Sequence, residues 1–423
     1  MLNNKKQVLS WALYDWANST FSTTVAAGFF PIFFEKYWSN PSDVVQSTYH
    51  LGLANSLASI IVACISPFLG AVADRGSAKK KFLIIFAFFG AIMTSGLFMV
   101  QQGDWKIASI IYVLATIGFM SGNIFYDSLL TDVSTKKDWN YVSSLGYAFG
   151  YLGGGLLFSI NVLMYLYPQT FGIPNSETAI RISFITVALW WIVFTIPIII
   201  FVPEPKIENS VPIRKAFHEG YVQLLSTFHQ IKKMKVVGTF LLAYWLYIDG
   251  VDTIIKMTVK MASSLGFETS DLIIALLMVQ FIAFPAAIFY NFFANRIGAK
   301  NAIFVAIAGY SLVTFLAYFM TSKLHLYLLA AIIGLFQGGI QALSRSLYAK
   351  LIPKNKETEF FGFFNMLGKF ASIFGPLLMG WVTFQTGNVR FGILSILILF
   401  LLGAVFLHKV DFEQGERDAM DLS

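Results

Sequence analysis

The stretch "GAVADRGSAKKK" (residues 70–81) is a short charged segment between two long apolar runs. A related stretch, "ANRIGAK" (residues 294–300), lies between two other apolar runs at a separation of 221 residues. Short charged loops between apolar runs are typical of turns at a membrane surface. Their recurrence indicates that the chain consists of two related halves.

The composition supports a membrane protein. The 423-residue chain is 57% hydrophobic and only 13% charged, whereas a soluble domain carries roughly 25% charged residues. A bilayer core of about 30 Å needs roughly 20 apolar residues per helix. Runs of this kind predict an all-α membrane protein with twelve transmembrane helices, covering residues 8–34, 49–73, 82–101, 107–133, 140–167, 181–202, 235–261, 271–294, 301–320, 326–349, 359–384 and 391–409.

The distribution of Lys and Arg predicts the orientation. With both termini in the cytoplasm, 21 of the 30 Lys and Arg residues lie on the cytoplasmic side and 5 on the outer side. The remaining 4 lie within the predicted helices: Lys256, Lys260, Arg345 and Lys369. This bias accounts for the net charge of +7 without nucleic acid as a partner. The compact loops favour a bacterial inner membrane.

The longest connection, residues 203–234, divides the chain into an N-terminal half (residues 1–202) and a C-terminal half (residues 235–423). Its apolar residues recur at steps of three and four, which predicts an amphipathic helix on the cytoplasmic membrane surface. A simple tether between the halves is the alternative. The recurring residues are Ile213, Phe217, Tyr221, Leu224, Phe228 and Ile231.

Two further matches support the duplication. "YDWANST" in the first predicted helix resembles "IDGVDTI" in the seventh, and "SSLGYAFGYLGG" in the fifth resembles "NMLGKFASIFGP" in the eleventh. The three matches occur in order, at separations of 234, 222 and 221 residues. The first of them places Asp15 opposite Asp249 and Asn18 opposite Asp252.

With these features the chain resembles the major facilitator superfamily (MFS). The superfamily's loop signature is matched by Gly70, Asp74, Arg75 and the lysines that follow, whereas Ser77 stands where a second Gly is expected. The segments "YDWANS", "DGVDTI", "GGIQALSRSLYAKLIP" and "FFGFF...GKFASIFGPLL" resemble the autophagy-related vacuolar amino-acid effluxer family and its bacterial relatives. The resemblance implies a secondary transporter. It also implies amino-acid export, the activity associated with the eukaryotic members.

Charged side chains at the centre of a membrane helix cost about 2.5–3.5 kcal/mol each, so they usually face a cavity or a partner. Asp15 and Asn18 have no base nearby on their own helix and are predicted to line a central cavity, with a static interhelical hydrogen bond as the alternative. Trp16 is predicted to offer a stacking surface there. The resemblance implies that the first and seventh helices flank the cavity, so Asp249 is expected at similar depth on the opposite wall. Two acids in one cavity would favour coupling to protons.

The seventh predicted helix carries Asp249, Asp252, Lys256 and Lys260 at steps of three, four and four. This spacing places them on one face of a helix. We expect that face to line the cavity and to offer both signs of charge to a substrate. The alternative is a self-neutralising ladder in which Asp252 pairs with Lys256. Two further side chains suit an anionic substrate group, Lys369 and Gln341.

Four charged residues are predicted to act in gating or coupling. Asp127 and Arg345 occupy related places in the two halves, where a pairing that closes the cytoplasmic gate and a contact with substrate both fit. Asp74 and Arg75 lie at a membrane edge and are predicted to latch the inner loops in one conformation.

The sequence carries no motif for a metal site or for ATP-driven transport. Cys64 is the single cysteine, the histidines fall in loops or at helix ends, and no phosphate-binding Gly-rich loop appears. We therefore expect no metal, no cofactor and no ATP-driven step. The sequence predicts a monomeric transporter that moves a small polar or zwitterionic solute, such as an amino acid, by alternating access. The alternatives are transport of a sugar, peptide or organic ion, a membrane-embedded lipid enzyme, or a non-transporting sensor.

Overall fold

A computed structural model describes residues 4–40, 44–206 and 210–422 of the chain. It leaves undescribed the side chains of residues 44–45, 225–233, 260, 264 and 371–373. The predictions for Phe228, Ile231 and the side chain of Lys260 therefore lie outside the described part.

The described chain is helical, and its long helices fall into two sets of six. The N-terminal set is α1 (from Lys5–Thr20, with its continuation), α2 (Val44–Gly76), α3 (Lys79–Met99), α4 (Trp105–Val133), α5 (Trp139–Leu166) and α6 (Ser176–Phe201). The C-terminal set is α7 (Lys235–Ser264), α8 (Thr269–Ile297), α9 (Ala299–Ala317), α10 (Lys323–Lys350), α11 (Glu357–Thr386) and α12 (Val389–His408). A linker helix (Ile213–Lys233) lies between the sets, and a tail helix (Phe412–Asp421) follows α12.

Ten of these helices are long and apolar enough to cross a membrane. The other two are α1 and α7, the helices that carry the acidic pairs marked by the sequence repeat. The interior polar residues of α1 and α7 lower the mean hydropathy of these two helices. Packing against other helices has to offset the cost of placing those residues in a membrane. The predicted class, an all-α membrane protein built from two sets of six helices, agrees with this arrangement.

Helix α1 changes its winding partway along. After Thr20 it continues as a π-helix over Phe21–Phe29, an α-helical turn over Phe30–Phe33 and a second π-helical stretch over Phe34–Trp38. Wider turns of this kind are rare and occur frequently at functional sites. They follow directly on Asp15 and Asn18.

Each half ties its third helix to its sixth helix in the same way. A cationic side chain at the start of one helix donates to the free carbonyl groups at the end of the other, where the helix dipole favours positive charge. The donors and their acceptors are Lys80 with Ile199 and Val202, Arg181 with Phe98, Lys300 with His408 and Val410, and Arg390 with Tyr318 and Met320. The shared pattern supports a duplication at the level of structure.

The halves meet closely where α2 crosses α11. A Cβ atom on Gly70 would overlap the backbone of Thr358, and one on Gly362 would overlap the backbone of Ser66. Small residues of this kind let two membrane helices approach closely. This crossing lies at the end of the bundle that carries the first residues of α1, the linker helix and the tail helix, which we call the inner end.

A candidate substrate cavity between the two halves

A central cavity of about 360 Å³ lies between the two halves, within the size range of small-molecule sites. Helices from both halves supply its wall. The charged wall residues are Asp15, Asp127, Asp252, Arg345 and Lys369. The amide side chains are Asn18, Asn123, Gln280, Gln337, Gln341 and Asn365, and the tyrosines are Tyr126, Tyr147, Tyr151 and Tyr244. The wall therefore combines both signs of charge with many hydrogen-bonding groups.

Asp15 lies at the cavity wall on α1, as the sequence predicted. Its carboxylate accepts hydrogen bonds from Ser19 Oγ at 2.9 Å and from the Tyr126 hydroxyl at 3.2 Å. Gly150 of α5 lies against it, and a Cβ there would come within 2.9 Å of the carboxylate. No ion pair joins Asp15 to a basic side chain in the described part of the chain. Hydrogen bonds, without a direct ion pair, therefore stabilise the negative charge of this buried acid.

Asn18 lies one turn further along α1 and is only 1% exposed. Its amide nitrogen donates to Asn123 Oδ1 of α4 at 2.6 Å. Its own Oδ1 is buried and has no hydrogen-bond partner among the described residues. An orphaned acceptor of this kind costs about 1–3 kcal/mol, so Asn18 is suited to accept a hydrogen bond from a bound solute or water.

Asp127 and Arg345 form an ion pair across the two halves, at 2.9 Å. Arg345 also donates to the hydroxyl and carbonyl oxygens of Ser143 on α5, at 2.9 Å each, and its guanidinium lies 4.3 Å from the ring centre of Tyr147. The second oxygen of Asp127 accepts from Asn365 of α11 at 3.0 Å. The sequence left open a pairing across the two halves and a contact with substrate. The structure shows the pairing, and both residues also line the cavity.

The C-terminal wall holds three more of the predicted residues. Asp252, Lys369 and Gln341 all line the cavity. Gln341 Oε1 accepts a hydrogen bond from the Tyr151 hydroxyl of α5 at 2.6 Å. This bond ties α10 to α5 and is a second cross-half contact at the cavity wall.

Asp249 does not lie at the cavity wall, and the expectation that it faces Asp15 across the cavity is corrected. It is 1% exposed, and both its oxygens accept from the Gly375 backbone N–H of α11, at 3.0 and 2.9 Å. Thr253 Oγ1 donates to it at 3.2 Å. Because Gly375 has no side chain, α11 approaches α7 closely enough for the carboxylate to fill the contact. A step of three residues turns a helix by about 300°, so Asp252 points about 60° away from Asp249.

Lys256 and Trp16 also lie away from the cavity wall. Lys256 does not reach the cavity wall, because a step of seven residues returns it to the direction of Asp249 within about 20°. Its side chain is exposed. The Trp16 ring stacks on Trp190 of α6 with ring centres 5.7 Å apart, and Trp190 Nε1 donates to the Trp16 carbonyl. The predicted four-residue charged face of α7 therefore contributes Asp252 alone among its described side chains.

A second charged cluster closes the inner end. Asp74 accepts hydrogen bonds from the backbone N–H groups of Thr358 at 3.2 Å and Glu359 at 2.9 Å. It thereby caps the N-terminus of α11, where the helix dipole favours an anion. Lys79, 1% exposed, pairs with Asp132 at 3.2 Å and with Glu357 at 3.0 Å. We call Asp74, Lys79, Asp132 and Glu357 the inner gate cluster, because it joins α2, α3 and α4 to α11.

Arg75 points away from this cluster. Its Nε lies 2.9 Å from Glu219 Oε2 of the linker helix. The hydrogen bond from Arg75, followed by the one from Lys215, holds the pKa of Glu219 below its usual value. Asp74 therefore contacts α11, and Arg75 contacts the linker helix.

The sequence reasoning missed several of these residues. Asn123 and Asn365 line the cavity four residues before Asp127 and Lys369, and that spacing places each pair on one helix face. A search for polar residues four positions from each predicted charged residue would have found both asparagines. The sequence predicts Lys79 as a loop charge, whereas in the structure it is buried and donates to Glu357, which is 278 residues away.

Two sets of six helices around a charged central cavity define a membrane transporter of the MFS class. A family model described as "Vacuole effluxer Atg22 like" matches residues 3–420. An uncharacterized MFS-type transporter of Bacillus subtilis (strain 168), YxiO, is 39% identical over 96% of this chain and 95% of that protein. Autophagy-related protein 22 of Coccidioides immitis (strain RS) is 25% identical over 99% of this chain and 89% of that protein.

The solved structures agree on the fold. The crystal structure of the human organic anion transporter MFSD10 (TETRAN) superposes with a TM-score of 0.74 at 15% identity, and covers 96% of this chain and 100% of that one. The chain belongs to the Atg22-like vacuole effluxer family and has the MFS fold. It is an MFS-type transporter and not an enzyme, and the predicted resemblance is confirmed.

Proposed function

We propose that the protein is a secondary transporter of zwitterionic amino acids that works by alternating access. The observation that carries this proposal is the pair of opposite charges on opposite halves of the cavity, with Asp15 on α1 and Lys369 on α11. An amino acid carries both charges within a few bonds, and a ligand that touches both halves favours the conformation that brings them together. Binding would thereby promote closure of the cavity.

The charges of the wall divide between the two ends of such a solute. Asp15 and Asp252 are suited to an ammonium group, and Lys369, supported by Gln341, to a carboxylate. Arg345 is held by Asp127 and Ser143, so it is a tie between the halves in this conformation. Its release when the halves separate would make it available to the substrate.

Proton coupling and export are further parts of the proposal. Asp15 is a buried carboxylate without an ion-pair partner among the described residues, and it lies at the cavity wall. A carboxylate in that position can take a proton from the cavity in one state and release it in another. The direction of export rests on the family's description as an effluxer.

The orientation and the oligomeric state complete the proposal. We place both termini in the cytoplasm of a bacterial cell and treat the monomer as the transporting unit. The excess of Lys and Arg at the inner end and the similarity to a Bacillus subtilis protein support the placement. Protease accessibility of the tail helix in intact cells and in inverted vesicles tests it.

A sugar is the second candidate, because six amide side chains line the cavity. Carboxamides donate and accept hydrogen bonds at once, as hydroxyl groups require. The charged groups distinguish the two candidates. A neutral sugar offers no counter-charge to Asp15 and Asp252, which have no ion-pair partner among the described residues, whereas the ammonium group of a zwitterion does.

Uptake and counterflow in proteoliposomes test the function. One pool holds labelled amino acids and another labelled sugars, each with and without an imposed pH gradient. We expect gradient-dependent accumulation from the amino-acid pool. Asp104→Asn, which removes a negative charge at an exposed loop, serves as the control for Asp15→Asn. Movement of sugars alone, or of neither pool, would overturn the substrate proposal.

A further inference from the structure

The linker helix is fastened to the membrane domain along one stripe. Ala216 is fully buried, and Gly220 packs so closely on Val72 of α2 that a Cβ there would come within 2.9 Å of the valine side chain. The Val211 backbone N–H donates to the Arg75 carbonyl at 3.1 Å. The helix is therefore a fixed part of the inner end.

A second stripe on the same helix is apolar and uncovered. Ile213, Phe217 and Tyr221 follow each other at steps of four and are 39%, 43% and 59% exposed. The Phe217 ring lies 6.0 Å from the ring of Phe68, which belongs to the membrane helix α2. The stripe therefore continues the lipid-facing surface of α2 at the level of the inner membrane boundary.

A basic side chain borders this stripe. Arg214 is exposed and, seven residues before Tyr221, points within about 20° of it. Lys215 pairs with Glu219 at 3.1 Å, on the side of the helix away from Tyr221. Apolar side chains next to Lys and Arg are the pattern of a helix that lies in the headgroup region of an anionic membrane.

The same helix contacts α2 and α11, two of the helices that the inner gate cluster joins. Glu219 binds Arg75 of α2 at 2.9 Å, and Gln223 Nε2 donates to Glu359 of α11 at 2.9 Å. Arg75 follows Asp74, which accepts the Glu359 N–H. The linker helix thus bridges the two helices that Asp74 joins directly.

We propose that the linker helix is a docking surface for anionic phospholipid headgroups of the leaflet at the inner end, and that its docking holds the inner gate closed. The occupant follows from charge complementarity, since 21 of the 30 Lys and Arg residues fall at this end of the chain's predicted topology. A ligand that binds one conformation better than another shifts the equilibrium toward it. Lipid contacts made in this pose therefore favour the closed inner end.

The first experiment measures where the stripe lies, without any substrate. The single cysteine is replaced by Cys64→Ser, and a nitroxide label is attached at Tyr221→Cys or at Val222→Cys. Val222 is 61% exposed and points about 140° away from Phe217, the middle residue of the stripe. In nanodiscs we expect the first label to collide with oxygen dissolved in lipid and the second with a water-soluble nickel chelate. Equal exposure of both labels to the chelate would overturn the docking surface.

The second experiment measures the gate. Spin labels at Thr135→Cys and Met420→Cys report the distance between the two halves at the inner end, where Lys136 and Glu416 pair at 2.8 Å. We expect nanodiscs that contain phosphatidylglycerol to shift the distance distribution toward the shorter value relative to phosphatidylcholine alone. The double variant Arg214→Gln/Lys215→Gln should lose this shift.

The control for that variant is Lys137→Gln, which removes an exposed charge away from the linker helix and should leave the shift unchanged. An unchanged distribution in the two lipids would overturn the proposed effect on the gate. So would a shift that survives the double variant. Neither readout involves an amino acid, so failure here is distinct from failure of the proposed substrate.

Discussion

The repeat-related acids Asp15 of α1 and Asp249 of α7 occupy corresponding positions and have different surroundings. Each accepts a hydrogen bond from the hydroxyl group one turn further along, Ser19 or Thr253. Asp15 then faces the cavity and the Tyr126 hydroxyl, whereas Asp249 is closed off by the backbone N–H of α11. Corresponding positions in the two halves thus place the same residue type at the cavity wall in one half and in a packing contact between helices in the other.

This difference separates two reasons for a charge within a membrane helix. A carboxylate that binds a backbone N–H stabilises the contact between two helices. A carboxylate that faces a cavity leaves its interactions to water, protons and solutes. Substitution can distinguish them, because the first role affects the folded state and the second affects transport.

The largest expected effect comes from closing the gap at Gly375. In Gly375→Val the new side chain would overlap Thr253 Oγ1 and the Asp249 carboxylate, and overpacking of this kind costs about 1–3 kcal/mol or more. We expect a marked fall in the folded yield on size exclusion and in the melting temperature. Gly380→Val is the matched control, since the position on the same helix is open. Equal loss in both variants would contradict the packing role.

Removal of the Asp249 carboxylate should have the next largest effect. Asp249→Ala removes the carboxylate that the Gly375 N–H binds, a loss of about 1–3 kcal/mol in the free energy of unfolding. Transport per folded molecule should stay within about twofold, since the group is outside the cavity wall. Thermal unfolding and proteoliposome flux measure the two quantities. A stable variant without transport would place Asp249 in the transport cycle.

The reverse result is expected for Asp15→Asn. The amide keeps the size of the side chain, and its NH2 group can donate to one of the hydroxyl groups that the carboxylate accepts from, so the melting temperature should change little. Transport should fall about tenfold or more, the equivalent of about 1.4 kcal/mol for one lost charged contact. Flux per folded molecule measures it beside Asp104→Asn. If Asp15→Asn melts early and transports normally, the two acids have the same structural role.

The smallest effect is expected at Lys256, the exposed base of α7. Lys256→Gln should change the free energy of unfolding by less than about 0.5 kcal/mol and leave transport near its original value. Lys369→Gln at the cavity wall should raise the apparent KM about tenfold if it binds a carboxylate. Concentration series for both variants test this contrast. A similar KM for the two would remove Lys369 from the binding site.

Much of the architecture was predictable from the sequence. The apolar runs indicated the long helices within a few residues, as with residues 391–409 and the observed Val389–His408. The cost of charge in a membrane also marked the five charged residues that the structure places at the cavity wall. These properties are local, because each helix must satisfy its backbone within its own segment and its charges are visible in its own composition.

The environment of each marked residue was less predictable. The shared periodicity placed Asp249, Asp252 and Lys256 on one face, yet a rotation of about 60° is enough to separate a cavity wall from a helix contact. Trp16 stacks on Trp190, which is 174 residues further along the chain. Such outcomes depend on the lateral contacts of each helix, which its own sequence does not contain.

The sequence by itself determined that this chain crosses a membrane as two related sets of helices, which helices carry the acids, and which family it belongs to. Insertion cost and helix periodicity act along the chain, so they can be recognised in one segment at a time. The tertiary structure decided that Asp15 faces the cavity while Asp249 binds α11, that Asp127 pairs with Arg345, and that Asp74 caps α11. Each of these contacts joins helices far apart in sequence, and the close approach of their backbones selects which face of each helix is used.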